Sequence, residues 1–278
     1  MKNISQKNKI LEAIISYKLM KTIILCGGMG TRLREETEYK PKPMVEIGGK
    51  PILWHIMKHY SFYGFNEFIL ALGYKGDVIR DYFLNYYKYN RDFTVDLSNG
   101  DVTIENEGQK DNWKITLVET GDDSMTGFRT KIAGKYISEE RFMLTYGDAV
   151  STVNIRQLVN FHKSKNTIGT VTGVFPPSRF GDLEVEGDMV SKFKQQLKDV
   201  DTQQPVNGGY FVFKKEFLDF IPDDPATDLE NIAIGQIVKS NNLSVFLHKG
   251  FWHSMDTYRD SVRLNSMWKE NPIWKIWE

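Results

Sequence analysis

The sequence predicts an α/β fold of Rossmann type, in which helices flank a mostly parallel sheet and β-hairpins lie at its periphery. Short apolar runs alternate along the chain with longer segments whose apolar residues have helical spacing. A glycine-rich loop follows the first apolar run directly, where nucleotide-binding α/β folds carry such a loop. Asn99-Gly100, between two segments of alternating polarity, is typical of a hairpin turn.

The elements are expected in the following order along the chain. Apolar runs predict strands over 21–26, 68–72, 115–119, 142–146 and 168–174. Helical spacing predicts helices over 52–63, 78–87 and 155–163. Hairpins are expected over 93–105 and 182–193, followed by a strand over 210–213 and a helix over 228–239.

Composition excludes several classes of protein. Among 278 residues, 41% are apolar and 26% charged, and Lys plus Arg equal Asp plus Glu at 36 each. A net charge of zero argues against nucleic acid or an acidic membrane as the main partner. The single cysteine, Cys26, excludes an internal disulfide and fits a reducing cytoplasm. The apolar runs are far shorter than the roughly 20 residues that cross a bilayer, so no membrane span is expected.

The chain is expected to consist of an extension and one domain. Residues 1–19 combine helical apolar spacing with lysines, and they form either a dispensable extension, including an over-long gene start, or a helix that packs on a partner subunit. Residues 20–278 are expected to form a single domain. The tryptophans near its end either cover the core or form a subunit contact; they are Trp268, Trp274 and Trp277.

The glycine loop indicates a polyphosphate site. Gly27, Gly28 and Gly30 let main-chain amides approach phosphate closely, and Arg32 adds charge-assisted hydrogen bonds. Leu33 stands where a dinucleotide motif needs its third glycine, and the Gly-Lys-Ser/Thr of a P-loop is missing.

Two further features carry charge toward this loop. Pro41 and Pro43 flank Lys42, and their restricted backbone predicts a stiff extended segment that aims the lysine. Asp148 follows the predicted strand over 142–146, at the carboxyl edge where open α/β sheets bind ligands. The hydroxyl residues and glycines of 120–129 could satisfy the edge of a pyrimidine base.

These stretches, with the strings at 48–56, 120–127, 146–148 and 251–257, resemble the sugar-1-phosphate nucleotidylyltransferase family. Within that family they look like the branch that makes CDP-glucose for surface polysaccharides. The resemblance implies transfer of a cytidylyl group from CTP to a sugar 1-phosphate, with Mg²⁺ as cofactor and a cytoplasmic homo-oligomer as the active form. It also implies the following roles. Catalysis falls to Arg32 and Lys42; nucleotide binding to Leu25, Gly27, Gly28, Gly30, Thr31, Thr120, Ser124, Thr126, Gly127 and Arg129; substrate binding to Tyr146, Arg179, Gly181, Lys198, Asn207 and Gly208; and metal binding to Asp148 and Asp256.

The acceptor half departs from the family pattern. The family usually has Phe-x-Glu-Lys-Pro after the second hairpin, whereas here Gln195 and Gln196 replace the glutamate and lysine. Asp228-Leu229-Glu230-Asn231 stands where a Glu-Pro pair is usual. Four functions therefore stay open: a cytidylyltransferase for glucose 1-phosphate, one for another phosphorylated acceptor, a homologue that uses UTP or dTTP, and a nucleotide-binding subunit without transfer activity.

Overall fold

A computed structural model describes residues 20–28, 30, 33–89, 91–106, 111–176, 182–186, 189–194 and 204–278. Its centre is a seven-stranded sheet in the order β14-β10-β13-β8-β1-β4-β7. Those strands are β1 (Thr22–Leu25), β4 (Glu67–Leu72), β7 (Lys114–Glu119), β8 (Arg141–Tyr146), β10 (Gly169–Val174), β13 (Val206–Lys214) and β14 (Leu243–His248).

Six of these strands run in the same direction. Strand β1 pairs in parallel with both β4 and β8, and β4 with β7. Only β13 is reversed, between β8 and β10. The predicted fold class, a mostly parallel sheet flanked by helices, is therefore confirmed.

Smaller β elements surround the sheet. They are β2 (Glu46–Ile47) with β3 (Lys50–Pro51), β5 (Phe93–Asp96) with β6 (Asp101–Ile104), β9 (Ala149–Ser151) with β15 (Trp252–Ser254), and β11 (Asp182–Glu186) with β12 (Met189–Lys194). Both expected hairpins are present, although residues 187–188 of the second turn lie outside the described residues.

Helices cover both faces of the sheet. The α-helices are α1 (Arg34–Thr37), α2 (Ile52–Phe62), α3 (Gly76–Leu84), α4 (Tyr86–Tyr89), α5 (Thr126–Gly134), α6 (Ile155–Lys165), α7 (Gly235–Lys239) and α8 (Tyr258–Glu270). Shorter turns of 3₁₀ helix span Lys42–Met44 and Lys215–Phe220, and a π-helix spans Leu229–Ile234. Within the described ranges, no helix is both long and apolar enough to cross a membrane.

Alternation along β1 explains the two apolar cores. Ile24 and Cys26 belong to one core with α2, whereas Ile23 and Leu25 belong to the other with α5. Successive side chains of a strand point to opposite faces, so a strand covered on both sides is apolar at every position. This is why a continuous apolar run marks β1 in the sequence.

The tryptophans near the end of the chain cover the first of these cores. Trp274 is fully buried and packs edge-on against the imidazole of His55. Trp277 packs edge-on against Trp54 of α2. Of the two expectations, the cover within one chain is the one that the structure shows for these two residues.

Candidate active site

A cavity of about 350 Å³ lies at the carboxyl ends of β1 and β8, within the usual size range of small-molecule sites. Its lining comes from four stretches that the sequence singled out: the glycine loop, the Pro-Lys-Pro segment, the end of β8 and the segment 120–129. These residues are Leu25, Cys26, Gly28, Gly30, Lys42, Pro43, Thr126, Tyr146, Gly147 and Asp148. Chain segments far apart in sequence therefore meet in one cavity.

The glycine loop leaves room for a ligand. A Cβ added to Gly28 would have no atom within 4 Å, so the backbone there faces open space. Gly30 has a φ of +61° and packs against Thr37 and Lys42, and a positive φ is one that glycine adopts readily. Thr31, predicted to bind the nucleotide, and Arg32, predicted to bind phosphate and act in catalysis, lie outside the described residues.

The backbone at Lys42 differs from the extended segment that was expected. Pro41 is extended, but a turn of 3₁₀ helix begins at Lys42, with Met44 N–H donating to the Pro41 carbonyl. Pro43 fits this first turn because the turn requires no N–H donor there. The expectation of an extended segment is therefore wrong. A helical turn, rather than an extended backbone, fixes the direction of the Lys42 side chain.

The ammonium of Lys42 lies between two aspartates. Nζ donates to Oδ2 of Asp148 at 2.7 Å and to Oδ1 of Asp256 at 2.8 Å. All three side chains are largely shielded from solvent. The structure thus brings together three residues, separated by up to 214 positions, to which the sequence assigned catalytic and metal-binding roles.

Local pairing explains how Asp256 reaches Asp148. Strand β9 begins directly after Asp148 and strand β15 ends two residues before Asp256; the two strands pair antiparallel, with Ala149 opposite Ser254. Met255 N–H then donates to the carbonyl of Asp148 at 2.8 Å. The Ser254 hydroxyl donates to the second oxygen of Asp256 at 2.8 Å, which fixes the orientation of that carboxylate.

Gly147 allows β8 to approach the lysine turn. A Cβ at this position would lie 2.8 Å from the Leu25 carbonyl oxygen and 2.9 Å from Cγ of Pro43. Both distances are below any normal contact, so a side chain would push the Asp148 segment away from the Lys42 turn.

The charges of this cluster favour cationic lysine. Burial alone would lower the pKa of Lys42, but Asp148 and Asp256 outweigh it and raise that pKa above its ordinary value. Two carboxylates against one ammonium leave a net negative charge in the cluster. Carboxylates that converge on one cation from separate segments are a donor set that suits a hard divalent ion completed by phosphate oxygens and water. No group of three or more His, Cys, Asp or Glu suited to a metal occurs among the described residues.

The predicted base-reading segment lines the other side of the cavity. Gly121 has a φ of +88°, which turns the chain after β7. Thr126 begins α5 and lines the cavity, and Gly127 packs so closely on the Thr227 carbonyl that a Cβ would lie 2.7 Å from it. Thr120 is buried and donates to the Leu72 carbonyl, whereas Ser124 is half-buried.

Arg129 lies beneath this segment, buried in the protein. Its guanidinium donates to the carbonyls of Leu72, Gly121 and Asp122 at 2.7–3.0 Å, and to the Thr120 hydroxyl at 2.8 Å. It also fills the space beside Gly27, where a Cβ would lie 2.2 Å from Nη1. These contacts hold the segment in shape; a direct contact with a nucleotide stays a prediction.

On the acceptor side, Tyr146 and Asn207 meet. The Asn207 amide donates to the Tyr146 hydroxyl at 3.3 Å, and the Gly208 carbonyl accepts from the Trp252 indole at 2.8 Å. Arg179, Gly181 and Lys198 lie outside the described residues. The Tyr146 hydroxyl donates to Glu230, a residue for which sequence reasoning predicted no role.

The chain is similar in sequence to known nucleotidyl transferases. The Nucleotidyl transferase family model matches residues 21–269. The glucose-1-phosphate cytidylyltransferase of Salmonella typhi is 44% identical over 261 residues, which covers 93% of this chain and all of that protein. A probable glucose-1-phosphate cytidylyltransferase of Bacillus subtilis is also 44% identical, over 259 residues with the same coverage.

Solved structures share the fold. The UTP-bound UGPase from Acinetobacter baumannii has a TM-score of 0.67 at 12% identity, over 92% of this chain and 95% of that one. The inositol-1-phosphate CTP transferase from T. maritima has a TM-score of 0.63 at 16% identity, over 91% and 98%.

The fold and the site thus define a nucleotidyl-transferring enzyme. The chain belongs to the nucleotidyl transferase family, and its relatives at 44% identity are glucose-1-phosphate cytidylyltransferases.

Proposed function

We propose that this enzyme transfers a cytidylyl group from CTP to a sugar 1-phosphate, with glucose 1-phosphate as the leading acceptor, and releases pyrophosphate. The observation that carries the proposal is the position of Lys42, between Asp148 and Asp256 and beside the glycine loop. The relatives at 44% identity, matched over their whole length, support the choice of CTP and glucose 1-phosphate.

The chemistry requires positioning and charge neutralisation. An oxygen of the sugar phosphate attacks the α-phosphorus of CTP, and the bond to the β-phosphate oxygen breaks as pyrophosphate leaves. The attacking oxygen is already anionic, so no general base is needed. The barrier comes from bringing two polyanions into line, which a rigid site lowers by holding both.

Each part of the cavity has a role in this scheme. The amides of the glycine loop, with Arg32, bind the β- and γ-phosphates. Lys42 stabilises the charge that builds on the α-phosphate, and its pKa keeps it cationic. Asp148 and Asp256 hold Lys42 at the cavity wall until substrates bind. The segment 120–129 reads the cytosine, and Arg129 fixes its shape from beneath.

Magnesium fits the same two aspartates. Asp148 and Asp256 would hold Mg²⁺, which would supply charge neutralisation at the phosphoryl oxygens. The excess of carboxylates over ammonium in the cluster supports this assignment. Lys42 supplies a second positive charge at this wall of the cavity, for the α-phosphate.

Substrate specificity is tested by mass spectrometry of products and by pyrophosphate release. CTP, UTP and dTTP are each combined with Mg²⁺ and a panel of sugar 1-phosphates. We expect CDP-glucose as the major product. Turnover with UTP or dTTP instead would make the enzyme a homologue of different base specificity, and CTP binding without turnover would favour a nucleotide-binding subunit.

Three further properties are part of the proposal: residues 20–278 act as one domain with residues 1–19 as an extension, the enzyme is cytoplasmic, and it is a homo-oligomer. An exposed apolar surface supports the last of these. Phe93 lies opposite Ile104 and Val95 opposite Val102, so one face of the β5–β6 hairpin carries four apolar side chains that are 43–49% exposed. Analytical ultracentrifugation tests this property, and a monomer at micromolar concentration would contradict it.

A further inference from the structure

Glu230 is hydrogen-bonded to two residues that line the cavity, Tyr146 and Thr126. The Tyr146 hydroxyl donates to its Oε1, and the Thr126 hydroxyl donates to its Oε2 at 3.2 Å. Both donors line the cavity. Asn207 extends the chain of hydrogen bonds by donating to the Tyr146 oxygen at 3.3 Å.

We propose that Glu230 binds hydroxyl groups of the acceptor and sets the acceptor specificity of the enzyme; this proposal rests on the proposed function. An ionised carboxylate has about four acceptor positions, and Tyr146 and Thr126 supply two donors to it. The remaining acceptor positions are the ones that we assign to hydroxyls of a ligand in the adjoining cavity. Hydrogen bonds to an ionised carboxylate are stronger than those between neutral groups.

The same charge orients the acceptor. A carboxylate repels a phosphate group, so the phosphate of the acceptor lies away from Glu230, toward Lys42. The hydroxyl-bearing end of the sugar then faces Glu230, Tyr146 and Asn207. A phosphorylated polyhydroxy compound satisfies both ends of such a cavity.

The tyrosine beside Glu230 is held firmly. Gly209 has a φ of +77°, and a Cβ there would lie 2.5 Å from the Tyr146 ring. The Tyr146 hydroxyl donates to Glu230 and accepts from the Asn207 amide at 3.3 Å. Glu230 thus has a fixed donor rather than a second charge beside it.

The Glu230 side chain is not needed to cap the helix in which it lies. The segment Leu229–Ile234 is a π-helix, a rare conformation that is frequent at functional sites. Asp228 caps this helix by accepting from Asn231 N–H at 2.6 Å. The Glu230 carboxylate takes no part in this cap and accepts instead from Tyr146 and Thr126.

Glu230 also connects the acceptor half to the nucleotide half. The Thr126 hydroxyl accepts from Leu229 N–H at 3.1 Å while it donates to Glu230. Backbone bonds from Met125 to Pro225 and from Gly127 to Thr227 join the same two segments.

Steady-state kinetics of Glu230→Gln test the proposal, with glucose 1-phosphate and a set of analogues that each lack one hydroxyl as acceptors. The charged hydrogen bond predicts a loss of about 10- to 100-fold in kcat/KM for glucose 1-phosphate, with the KM for CTP changed less than about threefold. For the wild-type enzyme, kcat/KM should be lower by a similar factor for the analogue that lacks the hydroxyl bound by Glu230 than for glucose 1-phosphate. For Glu230→Gln, kcat/KM for that analogue should be less than about threefold below kcat/KM for glucose 1-phosphate, because the variant no longer makes the hydrogen bond that the analogue lacks.

Glu216→Gln is the matched control, since Glu216 is exposed and pairs with Lys214 at 3.6 Å; its kinetics should stay within about twofold of wild type. Equal losses for Glu230→Gln on every acceptor, or an equal rise in the KM for CTP, would indicate a structural role and overturn the proposal. Unchanged kinetics would overturn it too.

A wild-type enzyme that transfers to no acceptor would refute the proposed function instead. Calorimetric titration of glucose 1-phosphate, in the presence of a non-hydrolysable CTP analogue, would then decide on Glu230. Equal affinity of wild type and Glu230→Gln, or no binding to either, would overturn the proposal, and weaker binding to the variant alone would support it.

Discussion

Replacement of Lys42 by methionine should abolish most of the activity and leave the fold intact. Methionine keeps much of the length of the side chain but removes the ammonium that bridges Asp148 and Asp256. Both aspartate oxygens lie within 2.8 Å of that nitrogen. They are therefore no more than about 5.5 Å apart, where two carboxylates repel by about 3 kcal/mol at an effective dielectric constant of 20.

The catalytic loss has a second source. Loss of a charge partner of the transition state usually costs a factor of about 10² to 10³ in kcat. We expect Lys42→Met to lower kcat by at least about 10² in a pyrophosphate-release assay with CTP, glucose 1-phosphate and Mg²⁺. Added Mg²⁺ should restore the fold stability of the variant but not its turnover, because the cation compensates the carboxylates without replacing the lysine.

Lys40→Ala is the matched control. Lys40 precedes Lys42 by two residues and pairs with Glu36 and Glu46 at 3.7–3.8 Å, on the surface of the protein. Its removal should change kcat less than about twofold. A Lys42→Met enzyme with kcat within threefold of wild type, and with a normal thermal unfolding curve, would refute the role assigned to this lysine.

Three other predictions follow from the described contacts. Asp148→Asn and Asp256→Asn should each raise the Mg²⁺ concentration for half-maximal activity by about 10-fold or more, and equal metal titration curves for wild type and variants would exclude these residues as ligands. Gly27→Ala should raise the KM for CTP and lower the melting temperature, since its Cβ would lie 2.2 Å from the buried Arg129 guanidinium; unchanged values would show that the guanidinium can move. Burial lowers the pKa of His59 to about 4, so on acidification the unfolded state takes up a proton at this residue before the folded state does. The free energy of unfolding should therefore decrease as pH falls from 6.5 toward 4, by about 2 kcal/mol at pH 5. Denaturant unfolding should show a weaker pH dependence for His59→Gln than for wild type, and identical slopes would contradict the assignment.

Buried parallel strands were predictable because their covered faces make them apolar throughout. The run over 68–72 corresponds to β4 (Glu67–Leu72), and the run over 142–146 to β8 (Arg141–Tyr146). Strand β14 was not predicted: its uninterrupted apolar run, 245–247, is only three residues long, and Val245 and Leu247 are about half exposed at the sheet edge.

Two of the longer helices were missed for different reasons. Helix α5 contains two glycines and buries Arg129 and Thr130, so its sequence lacks an apolar stripe. Helix α8 has an N-terminal signal that would have found it: Thr257 and Asp260 form a capping box.

The meeting of Lys42, Asp148 and Asp256 could be expected only through family resemblance. Each residue has a local reason for its position, such as the 3₁₀ turn at Lys42 and the edge of β8 at Asp148. Their convergence depends on the pairing of β9 with β15, two three-residue strands about 100 positions apart that carry little signal of their own. Glu230 was missed because its segment departs from the family pattern and its partners, Tyr146 and Thr126, come from other elements.

The most direct test of cytidylyl transfer follows a radiolabel placed on the α-phosphate of CTP. The label should pass into a nucleotide sugar in amounts equal to the pyrophosphate formed, and only when a divalent cation and a sugar 1-phosphate are both present. Label that stays in CTP, or that is released as CMP at the same rate without the acceptor, would contradict transfer at this site.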